Sequence, residues 1–238
     1  RGSEDLMTAG RVTVNGQVAT ELGTKVDVDP ITIEVDGMPV KLNQGAVYLM
    51  LYKPTGYLTT MSDPQDALAW LIWSRATAFR DYSRLRLDRD TTGLLLFTTD
   101  GDLSQDLLHP SKHVYKTYQA LVDGLINRDL TPLRRGIELD DGLCQPAICR
   151  IITAREAEAV APQGVKPGTT AVEVIIREGR KNQVKRMLSK IHHPVIRLHR
   201  CNFAGLELKD VAKGSWRELT DCEVQILKSG GIPPKAGE

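Results

Sequence analysis

The chain is short of several things, and each shortage narrows what it can be. None of its 238 residues falls in a run approaching the roughly 20 apolar residues that cross a bilayer, and Arg1 to Gly10 has no apolar core of the kind a secretory signal carries. A cytoplasmic protein acting away from membranes is the expectation. There is no C-x-x-C pair; Cys144, Cys149, Cys201 and Cys222 are scattered in a way that suits reduced, packed thiols rather than a disulfide framework or a zinc site. Net charge is almost missing too, a formal +1, whereas nucleic-acid binders are often strongly basic overall. Distribution matters more than the sum: from Arg177 to Arg200 eight Lys or Arg residues stand against the single acid Glu178, so a local positive face is compatible with a near-neutral chain. What is present is a 41% apolar composition, enough to bury a core in one large or two smaller domains.

The sequence is organised around Arg86 to Gly101. Leu94 to Phe97 is a short apolar run closed by Asp100-Gly101 and reads as a buried strand. Ahead of it Asp88 lies between Arg86 and Arg89, followed by Thr91, Thr92 and Gly93. A carboxylate flanked by cations favours its charged form, which suits a nucleophile or general base; a general acid would need an apolar pocket instead. On spacing alone these acids read first as loop carboxylates in surface ion pairs. With Asp100 and Asp102 they also offer oxygen ligands for magnesium in a phosphoryl-transfer enzyme.

Residues 1–42 read as a small unit: a helix end at Glu4 to Ala9, then Arg11 to Val14, the hairpin signal Asn15-Gly16, and a strand over Ile31 to Val35. Residues 43–45 form a polar, Gly-containing linker. The second domain, 46–228, opens with the strand Val47 to Tyr52 and the sharp turn Lys53-Pro54-Thr55-Gly56. Asp66 to Arg80, with Trp70 and Trp73, reads as a helix and connector whose tryptophans belong to a core. Leu103 to Leu108 suits a short helix, Val114 to Val122 a strand, Leu130 to Gly136 a helix with a Gly stop, and Ile148 to Thr153 and Thr170 to Arg177 further strands. From Asn182, the residues Val184, Met187, Leu188 and Ile191 recur at helical spacing, leaving Lys181, Lys185, Arg186 and Lys190 off the buried stripe. His192-His193 invites a metal reading, but neighbouring side chains on a turn seldom converge on one ion, and no carboxylate or Cys sits at a ligand spacing nearby. Residues 229–238 read as a disordered tail.

Several of these stretches, taken together, resemble one family. R-L-D-R-D-T-T-G-L-L-L-F-T-T-D-G is similar to the signature of the pseudouridine synthases that modify ribosomal RNA, though Leu85 stands where that family usually has Gly. Lys116-Thr117-Tyr118 resembles its second motif, E-G-R-K-N-Q-V-K-R-M its third, and Gly214 to Thr220 its closing element. Gly10 to Gly16 with Thr20 to Val26 resembles the latter half of the alpha-L RNA-binding module that precedes such enzymes, so the chain is expected to start inside that module. The resemblance implies an α+β fold with a mixed, largely antiparallel sheet. Its implied catalytic residues are Asp88, with Tyr118 stacking on the target base and Lys185 pairing with Asp88. Its implied RNA contacts are Arg86, Lys116, Arg180, Lys181 and Arg186, and Arg11 in the small module. It implies isomerisation of a flipped-out uridine without cofactor or metal, by a monomer acting on ribosomal RNA or a pre-ribosomal particle. The wording of the motifs is closer to the branch acting on 23S than on 16S rRNA. A non-catalytic rRNA-binding protein is the alternative.

Overall fold

The computed structural model describes residues 2–23, 32–40, 45–56, 83–84, 87–126 and 130–234. Leu85, Arg86 and the segment 66–80 lie outside the described residues, as does the end of the tail. The chain divides into two compact units, Arg1–Ala46 and Val47–Glu238.

In the first unit, α1 (Gly2–Thr8) precedes four short strands, β1 (Val12–Val14), β2 (Gln17–Val18), β3 (Ile33–Val35) and β4 (Met38–Pro39), in the antiparallel order β2-β1-β3-β4. The Asn15-Gly16 hairpin forms as its sequence dictates, both residues adopting positive φ (50° and 80°), the pair that a tight hairpin of this twist requires. Asp36-Gly37 repeats the device, and Arg11 reaches across to grip the Asp36 carboxylate, its Nε donating at 2.8 Å.

The second unit is built on one large sheet. Its path is β11 (Ile148–Ile151), β12 (Thr169–Ile176), β8 (Lys116–Asp123), β13 (Val195–Phe203), β7 (Thr91–Thr98), β5 (Tyr48–Lys53) and β15 (Trp216–Glu218); β6 (Ser83–Arg84) also pairs with β7 and β14 (Leu206–Glu207) with β13. A separate hairpin joins β9 (Glu138–Leu139) to β10 (Gly142–Leu143). Four helices complete the unit among the described residues: α2 (Gly101–Leu108), α3 (Thr131–Arg135), α4 (Gln183–Lys190) and α5 (Asp221–Lys228).

Leu94 to Phe97 are buried on both faces of β7, each worth about 1.5–3 kcal/mol of apolar burial, which is why the run carries no alternation. α4 forms on its stripe: Val184, Met187 and Leu188 are buried against Ala120, Val174 and Leu198 of the sheet. All described pairings within the sheet are antiparallel except β7 with β13, which run parallel with Arg200 opposite Gly93. At that point the two backbones almost touch. A Cβ at residue 93 would lie 2.3 Å from the Arg200 carbonyl oxygen, and φ there is +117°, so only glycine fits. The chain past Leu227 stays ordered further than its Gly/Pro composition suggests. Gly231 N–H donates to Ile226 O, and Ile232 N–H donates to Ala204 O at 3.0 Å, with Ile232 filling the space where a Cβ at Gly205 would stand.

Candidate active site

The site begins where the loop before β7 wraps around a buried lysine. Lys53, the last residue of β5, is 1% exposed, and its ammonium donates to the carbonyls of Pro54 (3.2 Å), Asp88 (3.0 Å), Arg89 (3.1 Å) and Thr91 (3.0 Å). Burying a lysine is costly unless its donors are met, and here converging backbone carbonyls meet them. The turn that follows Lys53 clasps the same loop from outside: Gly56 N–H donates to Arg89 O at 2.9 Å, and Arg89 Nε returns a bond to Gly56 O at 3.1 Å. Leu87 is buried against Leu49, Leu51, Leu95 and Phe97. The backbone at Asp88 is therefore held from below and from both sides, with the carboxylate left 40% exposed.

That carboxylate meets the start of α4. Lys185 Nζ lies 3.6 Å from Asp88 Oδ2 and 2.5 Å from Asp90 Oδ1, so the expected partner of Asp88 is shared between two acids. The hydrogen bond from Lys185 holds the Asp90 carboxyl below the usual range. Asn182 opens the helix in the left-handed region, φ 51°, which asparagine tolerates better than most residues. With its amide oriented to donate, its nitrogen lies 2.7 and 3.2 Å from the two Asp88 oxygens.

Asp88 borders a cavity of about 450 Å³, whose walls include Tyr118 and Lys116 of β8, Leu198 and Arg200 of β13, Phe203, and the Gly179 to Val184 segment. Adjacent strand residues point to opposite faces; Tyr118 lines the cavity, whereas the Tyr115 ring sits under Arg177 instead. Asp88, Tyr118, Lys116, Arg180 and Lys181 are thus brought to one space, with Lys185 against Asp88.

The remaining basic residues behave differently. Arg180 donates to the Gly142 carbonyl at 2.8 Å and to Leu143 at 2.6 Å, and pairs with Glu178 and Asp141. Arg186 makes a two-pronged contact with Asp141 at 2.9 and 2.8 Å, and that contact pulls the Asp141 carboxyl down to about 2. Both guanidinium groups therefore fasten the β9–β10 hairpin to the loop and helix that face Asp88. Lys181 makes no ion pair among the described residues and stands at the rim. Lys116 is buried and turned inward, its ammonium 3.0 Å from the Val114 carbonyl. Arg11 belongs to the other unit, and Arg86 lies outside the described residues.

Two contributors have roles that the sequence does not assign. Lys53 opens a turn that resembles the family's K-P-x-G turn beside the cleft, but nothing local marks it as buried. Asn182 lies among basic residues that draw attention away from it; its signals are its place in the E-G-R-K-N-Q-V-K-R-M stretch and its position immediately before a helical stripe. Of the acids named for magnesium, Asp100 instead caps α2, accepting from Leu103 N–H and Tyr48 Oη, and among the described residues no three His, Cys, Asp or Glu side chains are grouped.

Comparison with known proteins agrees with this geometry. The model of a family described as RNA pseudouridylate synthase matches residues 47–190, from β5 through α4. The chain is 38% identical over 230 residues to ribosomal large subunit pseudouridine synthase B of Bacillus subtilis, covering 96% of this chain and 90% of that protein. It is 34% identical to the Haemophilus influenzae protein of the same name, over 98% of this chain and 64% of that one. A crystal structure of a pseudouridylate synthase superposes with a TM-score of 0.65 at 25% identity, covering 95% of this chain and 92% of that chain. A family match over more than half the chain, joined to relatives this similar across nearly all of it, makes the chain a member of the RNA pseudouridylate synthase family.

Proposed function

We propose that this protein isomerises a uridine of ribosomal RNA, in the 23S rather than the 16S molecule, to pseudouridine, and that Asp88 is its catalytic carboxylate. The observation that carries the reading is the Asp88 side chain itself, fixed between Lys185 and Asn182 at the edge of a cavity large enough for one base. Most loop acids are free to swing; this one is held on both oxygens and aimed at enclosed space. The preference for large-subunit RNA rests on what the similar proteins are called.

In the reaction the C1′–N1 bond of uridine breaks and a C1′–C5 bond forms, the proton lost from C5 being balanced by one gained at N1. No electrons are gained or lost, so the protein has to bind, hold and turn the base. A base stacked in RNA cannot be reached, so the uridine is flipped out, its ring against Tyr118, its phosphates outside near Lys181. Asp88 then attacks C1′ or the base, or removes the 2′ proton; all three need an ionised carboxylate in a fixed pose. The protein acts as a monomer in the cytoplasm, on free rRNA or a pre-ribosomal particle.

The test is tritium release from rRNA carrying 5-tritiated uridine. Wild-type protein should release tritium, and Asp88→Asn, which keeps shape but removes the charge, should lose about 10⁴-fold or more while still binding RNA. Binding without any tritium release by the wild-type chain would identify it as a non-catalytic rRNA-binding protein instead.

A further inference from the structure

The cavity beside Asp88 has a cationic end that RNA phosphates have no reason to reach. Lys116 is 9% exposed and Arg200 2%, one from β8 and one from β13, and both stand over the ring of Phe203, with Nζ at 5.6 Å and Cζ at 5.2 Å from its centre. Arg200 Nε donates to the Leu94 carbonyl at 2.9 Å. An ammonium has three donors, and Lys116 directs one at the Val114 carbonyl. Glu178 is the carboxylate whose charge reaches Lys116, but its oxygens accept from Gln145 N–H, Gln183 Nε2 and Arg180. Lys116 and Arg200 thus bring two positive charges to the same end of the cavity. The position is thereby prepared for an anion that enters the cavity rather than one that lies along its rim.

The proposed reaction supplies such an anion. When C1′–N1 breaks, its electron pair leaves on N1, and the negative charge spreads over the ring to the O2 and O4 carbonyl oxygens. C1′ meanwhile bonds to Asp88 or forms a double bond to C2′ after proton loss. When C5 later bonds to C1′, the C5 proton departs and N1 regains one. Between those events the uracil is an anion that must be both stabilised and free to turn. We propose that Lys116, backed by Arg200, binds that anionic uracil at an exocyclic carbonyl oxygen and is thus a catalytic residue rather than a phosphate contact. The inference rests on the reading of the cavity as the uridine site. A rotating ring presents O2 and O4 in turn, and a flexible ammonium can follow either.

Burial, and then the charge of Arg200, pushes the Lys116 ammonium down to about 8, so the cation is lost at mildly alkaline pH. The charged groups facing it are Arg200 of β13 and Glu178 after β12; Asp88, Arg89, Arg180 and Lys181 line the same cavity.

The experiment measures single-turnover loss of the target nucleoside in RNA containing either uridine or 5-fluorouridine, for wild type, Lys116→Met and Lys116→Arg. Fluorine makes the ring anion intrinsically more stable, so a group that stabilises that anion matters less when fluorine is present. Lys116→Met should slow uridine turnover about 100-fold with RNA affinity nearly unchanged, and the loss should shrink roughly tenfold on 5-fluorouridine. Lys116→Arg should retain more rate, and its alkaline limb should lie above that of wild type. Equal losses on both nucleosides, or a loss confined to salt-sensitive RNA binding, overturn the assignment. If Lys116→Met does not fold, an alkaline limb unmoved in Lys116→Arg overturns it just as well. Wild-type protein that never isomerises uridine would instead refute the proposed function itself.

Discussion

Two lysines hold the Asp88 loop, and they do opposite work. Lys53 lies beneath it, 1% exposed, and donates to backbone carbonyls; Lys185 lies across the opening, 22% exposed, and meets the carboxylates of Asp88 and Asp90. A buried cation ringed by carbonyls fixes where the chain goes. A part-exposed cation between acids adjusts charge and pose, and solvent screens what it contributes to stability. The same side chain thus fixes backbone in one place and gathers carboxylates in the other, and burial separates the two.

The largest effect should come from breaking the buried member. Lys53→Met leaves several enclosed carbonyls without donors and should cost about 3–5 kcal/mol, lowering the thermal midpoint by roughly 10 °C or more and abolishing turnover with it. A melting curve unchanged from wild type would show that water replaces the ammonium and that Lys53 does not organise the loop. Lys185→Met should separate the two properties: stability within about 1 kcal/mol of wild type, but single-turnover rate down about 100-fold, with Lys185→Arg intermediate. Equal damage to stability from both lysine variants would erase the distinction.

The smallest effect concerns Asp90, whose folded-state carboxyl titrates below its ordinary value because of the Lys185 hydrogen bond. A depressed pKa gives stabilisation that is present above about pH 4 and lost as pH falls through the folded value. Asp90→Asn should therefore cost a fraction of 1 kcal/mol at pH 7, given that the side chain is 71% exposed, and nothing near pH 2. Parallel pH–stability curves for the two proteins would remove Asp90 from the ion-pair cluster.

The contrast between the lysines also marks how far the sequence could be read. Elements set by local rules are legible: the Leu94 to Phe97 strand from its apolar run, α4 from Val184, Met187 and Leu188, the first hairpin from Asn15-Gly16. α5 was equally available, since Thr220 and Glu223 form a capping box visible as T-x-x-E, yet the eye passes over it after the W-R-E-L strand. The juxtaposition of Asp88 with Lys185 follows from motif resemblance and not from spacing. The burial of Lys53 is illegible because three of its four carbonyl partners lie 35 to 38 residues away, and carbonyls are groups every residue has. Arg180 and Arg186 look like a basic face offered to RNA. Asp141, from a hairpin some 40 residues upstream, takes both, a match of charge across distance that periodicity cannot reveal.

The parallel contact of β7 with β13 has a consequence for how the protein is made. Strand β7 can pair with β5 as soon as both have left the ribosome, but its other neighbour, with the Arg200 bond to Leu94, is supplied 106 residues later, and the Lys185 contact with Asp90 spans 95. During synthesis the Asp88 loop therefore emerges long before the helix and strand that complete it. A nascent chain stopped short of α4 carries the Asp88 carboxylate without Asn182 and Lys185 beside it. An RNA-modifying enzyme with this order of elements carries the loop well before the residues that close around it.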